Sequence, residues 1–66
     1  MEYLRIETSR DAYGADDCIG STMTVGQLME ALEGYDEETP IVLSFDRGYT
    51  YGKLTEYKID IDYTKD

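Results

Sequence analysis

Apolar residues recur with the spacing of an α-helix near the middle of the chain. They fall at positions i, i+3, i+4 and i+7 and share one face: Val25, Leu28, Met29 and Leu32. Thr24 stands just before this stripe and Gln27 three residues later, which is the spacing of an N-terminal capping box. Gly34 follows the stripe, where a left-handed C-terminal cap favours glycine. The pattern predicts a helix that begins after Thr24 and ends before Gly34.

Two further segments, Glu2–Thr8 and Leu54–Tyr63, alternate apolar and polar residues, which is the period of a β-strand. A third, Ile41–Asp46, begins with an apolar, β-branched run, which predicts a buried strand. Pro40 introduces this buried strand, because proline holds the residue before it in extended geometry. About seven residues, with the glycine-framed turn Asp46–Gly52 among them, join it to the strand Leu54–Tyr63, so we expect these two to pair antiparallel.

The resulting order of elements is β-α-β-β. We predict an α+β fold in which a small three-stranded sheet, antiparallel or mixed, carries one helix packed on one face. Residues 1–66 are expected to form a single domain, with Ser9–Gly20 as a long loop; a hairpin that extends the first strand through Tyr13 is the alternative. The expected core comprises Leu4, Ile6, Ile19, Val25, Leu28, Met29, Leu32, Ile41, Leu43, Phe45, Leu54, Ile59 and Ile61.

The charge of the chain narrows the range of partners. Fifteen acidic residues against six basic ones give a formal net charge of −9, and histidine is absent from the sequence. Nucleic acids and anionic membranes are held mainly by Lys and Arg, so this balance argues against both as direct partners. It favours a basic protein partner or simply solubility. No apolar run approaches the length of a membrane span.

The cysteine content and the small sheet suggest a location and an oligomeric state. The single cysteine, Cys18, excludes an internal disulfide and fits a reducing compartment, so we expect the cytoplasm. A three-stranded sheet has two edges that another copy can reach. We therefore expect a monomer or a weak homodimer.

The sequence does not group the residues that catalysis or metal binding requires. General acid–base catalysis usually needs a histidine or a buried carboxylate, and the candidate nucleophiles Cys18 and Ser44 have no evident base. Neither pair of carboxylates has the spacing of a calcium-binding loop: Asp16 with Asp17, and Asp60 with Asp62. We therefore predict a non-enzymatic protein with no catalytic residue, no metal and no cofactor.

The acidic residues form two rows in the predicted fold. One row follows the polar face of the helix into the next turn: Glu30, Glu33, Asp36, Glu37 and Glu38. The other lies on the outer face of the last strand: Glu56, Asp60 and Asp62. Alternate residues of a strand lie roughly 6.6 Å apart, which is comparable to the spacing of phosphates along a nucleic-acid strand. Such rows can occupy a basic nucleic-acid-binding groove, although an ordinary solvated face is the alternative and Lys58 interrupts the second row.

The segment Thr24–Gly52, TVGQLMEALEGYDEETPIVLSFDRGYTYG, resembles small acidic proteins of phages and mobile elements. Those proteins share the pattern T-V-x-E-L-I-E-A-L, then Y-D-x-x-T-P-V-V-L-S, and then a glycine–tyrosine turn. The small size, the acidity and the α+β build are also similar to phage anti-CRISPR inhibitors, some of which mimic DNA. The resemblance carries no functional position, and the scattered Lys and Arg residues depart from a pure phosphate mimic. It implies an inhibitor that acts in the cytoplasm of a bacterial host cell and whose basic partner is a CRISPR effector subunit.

Our leading hypothesis is therefore a non-enzymatic inhibitor that occupies a basic nucleic-acid-binding surface of a CRISPR effector by charge mimicry. The candidate contact residues are seven acids and two tyrosines of the glycine-framed turn, where exposed rings suit an interface: Glu30, Glu33, Asp36, Glu37, Glu38, Asp60, Asp62, Tyr49 and Tyr51. The alternative is a structural or adaptor interaction module of a phage or mobile element, recognised through the open sheet face or an edge strand.

Overall fold

One α-helix and a mixed three-stranded sheet, in the order β-α-β-β, make up the fold in a computed structural model that describes residues 1–63. The elements are β1 (Leu4–Glu7), α1 (Val25–Leu32), β2 (Ile41–Phe45) and β3 (Thr50–Lys53). Strand β2 is central and pairs parallel with β1 and antiparallel with β3. The predicted α+β class and three-stranded sheet are confirmed, and the sheet is mixed, which is one of the two alternatives left open by the sequence. Residues 64–66 of the predicted domain lie outside the described residues.

Helix α1 begins with the predicted capping box. The Gln27 amide donates to Thr24 Oγ1 over 3.2 Å, and the Thr24 amide donates to Gln27 Oε1 over 3.0 Å. Both hydrogen bonds use groups within four residues of one another, so the start of the helix is fixed by its own sequence.

The end of α1 differs from the prediction. The helix ends at Leu32, and Glu33 continues in the right-handed region with φ −58° and ψ −32°. The Tyr35 amide then donates to the Leu32 carbonyl over 3.1 Å. This hydrogen bond closes a turn that residues other than glycine also adopt. Gly48 is the one glycine of residues 1–63 with a positive φ, so the prediction of a left-handed cap at Gly34 is wrong.

Replacing Gly34 with alanine should therefore raise the free energy of unfolding by about 0.5 kcal/mol, because alanine restricts the unfolded chain more than glycine does. A Cβ atom at Gly34 would meet no atom within 4 Å. Chemical denaturation of the variant measures the effect. Gly20→Ala is the matched control, because a Cβ atom at Gly20 would also meet no atom within 4 Å. A loss of more than about 1 kcal/mol would instead indicate a conformation that needs glycine.

The third strand lies earlier in the chain than predicted. Asp46 and Arg47 adopt left-handed φ angles of 51° and 59°, so the chain reverses at once after β2. The Tyr49 amide donates to the Phe45 carbonyl over 3.0 Å and closes this turn. Strand β3 then starts at Thr50, opposite Phe45, inside the segment whose glycines predict a turn.

The segment after β3 is not a strand. A 3₁₀ turn occupies Glu56–Lys58, and Lys58 Nζ donates to the Lys53 carbonyl over 2.7 Å. The alternating pattern over Leu54–Tyr63 therefore gave a wrong prediction of a strand.

The long loop is placed as predicted. Strand β1 ends at Glu7, so the hairpin alternative that extends it through Tyr13 is not formed. A short 3₁₀ turn at Ala15–Asp17 is the regular part of the segment Ser9–Gly20.

Burial is the largest departure from the predicted fold. No apolar side chain of residues 1–63 is buried. Six of the expected core residues are half-buried: Leu4, Ile6, Leu32, Ile41, Leu43 and Leu54. The others are exposed, so their predicted burial is wrong: Ile19, Val25, Leu28, Met29, Phe45, Ile59 and Ile61. Helix α1 lies on the apolar side of the sheet without closing on it, and the Cα radius of gyration is 13.6 Å, against roughly 11 Å for a compact chain of this length.

Candidate binding cleft and acidic surface

An open cleft of about 910 Å³ separates α1 from the sheet. Leu4 and Ile41 line it from the sheet, and they share a face because they are partners in the β1–β2 register. Met29 and Leu32 line it from α1, and 67% of the Met29 side chain is exposed. The cleft therefore presents to solvent apolar residues that the sequence assigns to the core.

Four acidic residues line the same cleft: Glu30, Glu33, Asp36 and Glu37. Glu30 and Glu33 lie three residues apart, which are neighbouring positions on a helix surface. Asp36 Oδ1 accepts a hydrogen bond from the Glu38 amide over 2.8 Å, which fixes the turn after α1. The structure thus brings together four of the five acids in the predicted helix-side row, and Glu38 follows them in this turn.

The negative charge of the chain is concentrated in one segment. Residues 11–46 contain nine acidic residues and no Lys or Arg, whereas the rest of the chain contains six acidic and six basic residues. The formal net charge of −9 is therefore that of residues 11–46, which include α1 and the turn after it. The positions of the six Lys and Arg residues in the sequence reveal this asymmetry, whereas the total charge does not.

The carboxylates of residues 1–63 accept their hydrogen bonds from hydroxyls and backbone amides. Glu7 accepts from the Ser44 hydroxyl over 3.1 Å and from the Arg47 amide over 3.2 Å. Asp11 accepts from the Ser9 hydroxyl over 2.8 Å. Such donors orient a carboxylate and leave its formal charge in place.

Asp60 and Asp62 do not form the predicted row on a strand. The chain is irregular from Ile59 to Tyr63, so the regular spacing of a strand does not apply there. Asp60 Oδ1 accepts from the Ile61 amide, and Asp62 Oδ1 accepts from the Tyr63 amide, each over 2.8 Å. Both remain candidate contact acids, but the predicted arrangement of this second row is wrong.

The two candidate tyrosines lie away from the cleft. Tyr49 closes the turn before β3 and 85% of it is exposed. Tyr51 lies on β3, and its hydroxyl would be 3.3 Å from a Cβ atom at Gly48, so this side chain covers the turn. Tyr49 is thus the freer of the two for contact with a partner.

The structure places the two candidate nucleophiles, Ser44 and Cys18, in different surroundings. Ser44 has 0% exposure and donates to the Glu7 carboxylate, so its hydroxyl is closed to a substrate. Cys18 is a half-buried free thiol. In the part of the chain that the structure describes, no three His, Cys, Asp or Glu side chains are grouped to hold a metal ion. No helix within residues 1–63 has the length and apolar character to cross a membrane.

Comparisons of the chain with protein-family models, with curated proteins and with solved structures find no match. Function must therefore be inferred from the cleft and from the charge of this chain.

Proposed function

We propose that this protein is a non-enzymatic inhibitor that binds a basic nucleic-acid-binding surface of another protein in place of the nucleic acid. The single observation that carries this proposal is the segment 11–46, with nine acidic residues and no base. Four of those acids line one cleft, so part of the charge is held together on one surface. Lys and Arg side chains that bind phosphates attract a cluster of carboxylates by the same electrostatic force.

The proposed target is a subunit of a CRISPR effector. The resemblance of Thr24–Gly52 to acidic proteins of phages and mobile elements supports this class of target. Such effectors hold nucleic acid in positively charged channels, which suit a small polyanionic protein.

The experiment is a capture of bacterial proteins on the immobilised chain, at about 50 mM and about 200 mM salt. We expect a basic nucleic-acid-binding protein to bind at the lower salt, to lose about tenfold or more of its affinity at the higher, and to be released by duplex DNA. Expression of the chain should also restore phage plaquing on a CRISPR-immune host. Binding that tolerates salt and is not displaced by duplex DNA would contradict the proposal.

The second candidate function is an adaptor module of a phage or mobile element. The observation that favours it is the sheet, in which β1 and β3 are both edge strands of the described fold. This function predicts salt-tolerant association. Changes at Val42, on the sheet face opposite Ile41, or at Tyr57, in the 3₁₀ turn that follows β3, should weaken it. The two salt concentrations of the capture experiment therefore separate the two functions.

A further inference from the structure

The cleft between α1 and the sheet combines apolar and acidic side chains, whereas charge mimicry alone requires only the acidic ones. Leu4, Ile41, Met29 and Leu32 supply its apolar walls. The four charged residues that line it are all acidic. A solvated acidic face would not require exposed apolar side chains beside the carboxylates.

We infer that the cleft binds an amphipathic basic helix of the partner protein. Its apolar side chains lie between α1 and the sheet, and its Lys and Arg side chains lie against the four acidic residues of the cleft. This inference rests on the proposed function, because it names the part of the basic partner that the chain holds.

The charge of the cleft selects among its possible occupants. A second copy of this chain would bring its own negative segment against Glu30, Glu33, Asp36 and Glu37, and like charges in contact oppose association. A segment that is apolar on one face and cationic on the other satisfies both parts of the lining. Charge complementarity therefore favours a basic partner segment over self-association.

The geometry of the lining favours a helix over an extended strand. Leu4 and Ile41 reach the cleft from the face of the sheet, where side chains rather than unpaired backbone groups are presented. An added strand would pair along the open edge of β1 or β3 rather than on this face, whereas a helix places side chains at i, i+3, i+4 and i+7 into a groove. The open volume of about 910 Å³ lies beside exposed Met29, so access from solvent is already present.

The test uses the full chain and two synthetic peptides of about 14 residues, which is about four helical turns. The first peptide contains Leu and Lys, spaced so that the leucines share one helix face; the second replaces every Leu with Ala and keeps the charge. Fluorescence anisotropy at about 50 mM salt measures both dissociation constants. We expect the Leu peptide to bind about tenfold tighter, because only it can bury apolar side chains in the cleft.

Two variants of α1 locate the binding. Met29→Gln should weaken binding of the Leu peptide by about threefold or more, because Met29 lines the cleft. Val25→Gln is the matched control, since Val25 lies on the same helix, is 78% exposed and does not line the cleft. Both side chains are exposed, and circular dichroism verifies that both variants keep the helix.

Each alternative result has a separate meaning. Equal binding of the two peptides, with no effect of Met29→Gln, would overturn the cleft inference and leave the proposed function standing. No binding of either peptide at low salt would overturn both. Salt-promoted self-association that Met29→Gln abolishes, without preference for the Leu peptide, would assign the cleft to a second copy and overturn the inference. Preferential binding of the Leu peptide in the cleft, with a captured partner that duplex DNA does not displace, would contradict the proposed function alone.

Discussion

Converting the four acidic residues of the cleft to their amides should weaken binding to the captured basic protein by about 10- to 100-fold. The substitutions are Glu30→Gln, Glu33→Gln, Asp36→Asn and Glu37→Gln. One exposed ion pair contributes about 0.2–1 kcal/mol, so four together reach roughly 1–4 kcal/mol, a range that includes the expected loss. The amides keep the size and shape of the side chains, so the loss reports on charge. The measurement is the dissociation constant at several salt concentrations, and the variant should also show a shallower dependence on salt.

A second variant, also with four substitutions, tests whether the position of the acidic residues or the total charge of the chain determines binding. It removes the same number of acids from exposed positions outside the cleft, by Glu2→Gln, Asp16→Asn, Asp17→Asn and Glu56→Gln. If the partner recognises the cleft acids, this variant should lose less than about threefold in affinity. Equal losses from the two variants would show that total charge, and not its placement, determines binding.

The elements that the sequence predicts well are those whose stabilising groups are close together in the chain. The capping box at Thr24 and Gln27 needs only its own two residues, and β2 follows from an apolar β-branched run after Pro40. The acids on α1 and in the following turn come together for the same reason, because they lie within eight residues of one another. These parts of the fold and of the candidate cleft were therefore accessible to sequence reasoning.

The parts that were missed depend on backbone conformations and packing that the sequence does not show. Strand β3 starts early because Asp46 and Arg47, neither of them glycine, both adopt left-handed φ angles. Alternation over Leu54–Tyr63 is compatible with a strand but supplies no partner for one. The apolar stripe of α1 predicts a helix and an apolar surface, yet it does not specify how closely the sheet covers that surface. The cleft could not be predicted from the sequence for this last reason, because the apolar residues that line it were expected to form the core.

Ser44 is the one buried residue among residues 1–63, and both its carbonyl and its hydroxyl have partners outside β2. The Ser44 carbonyl accepts from the Thr8 amide over 2.8 Å and from Thr8 Oγ1 over 2.9 Å. Its hydroxyl donates to the Glu7 carboxylate, which also accepts from the Arg47 amide in the turn before β3. Glu7 therefore links the end of β1 to both Ser44 near the end of β2 and the left-handed turn.

Replacing Glu7 with alanine should lower the free energy of unfolding by about 2 kcal/mol, because the buried Ser44 hydroxyl and the Arg47 amide lose their shared acceptor. That is a large part of the stability expected for a domain of this size. Chemical denaturation measures the loss, and Glu2→Ala is the control that removes the same charge from an exposed position outside the strands. Glu7→Gln, which keeps one acceptor oxygen, should lose about half as much. In the Glu7→Ala background, Ser44→Ala should cost little further stability; fully additive losses would show that the hydrogen bond between the two side chains does not stabilise the fold.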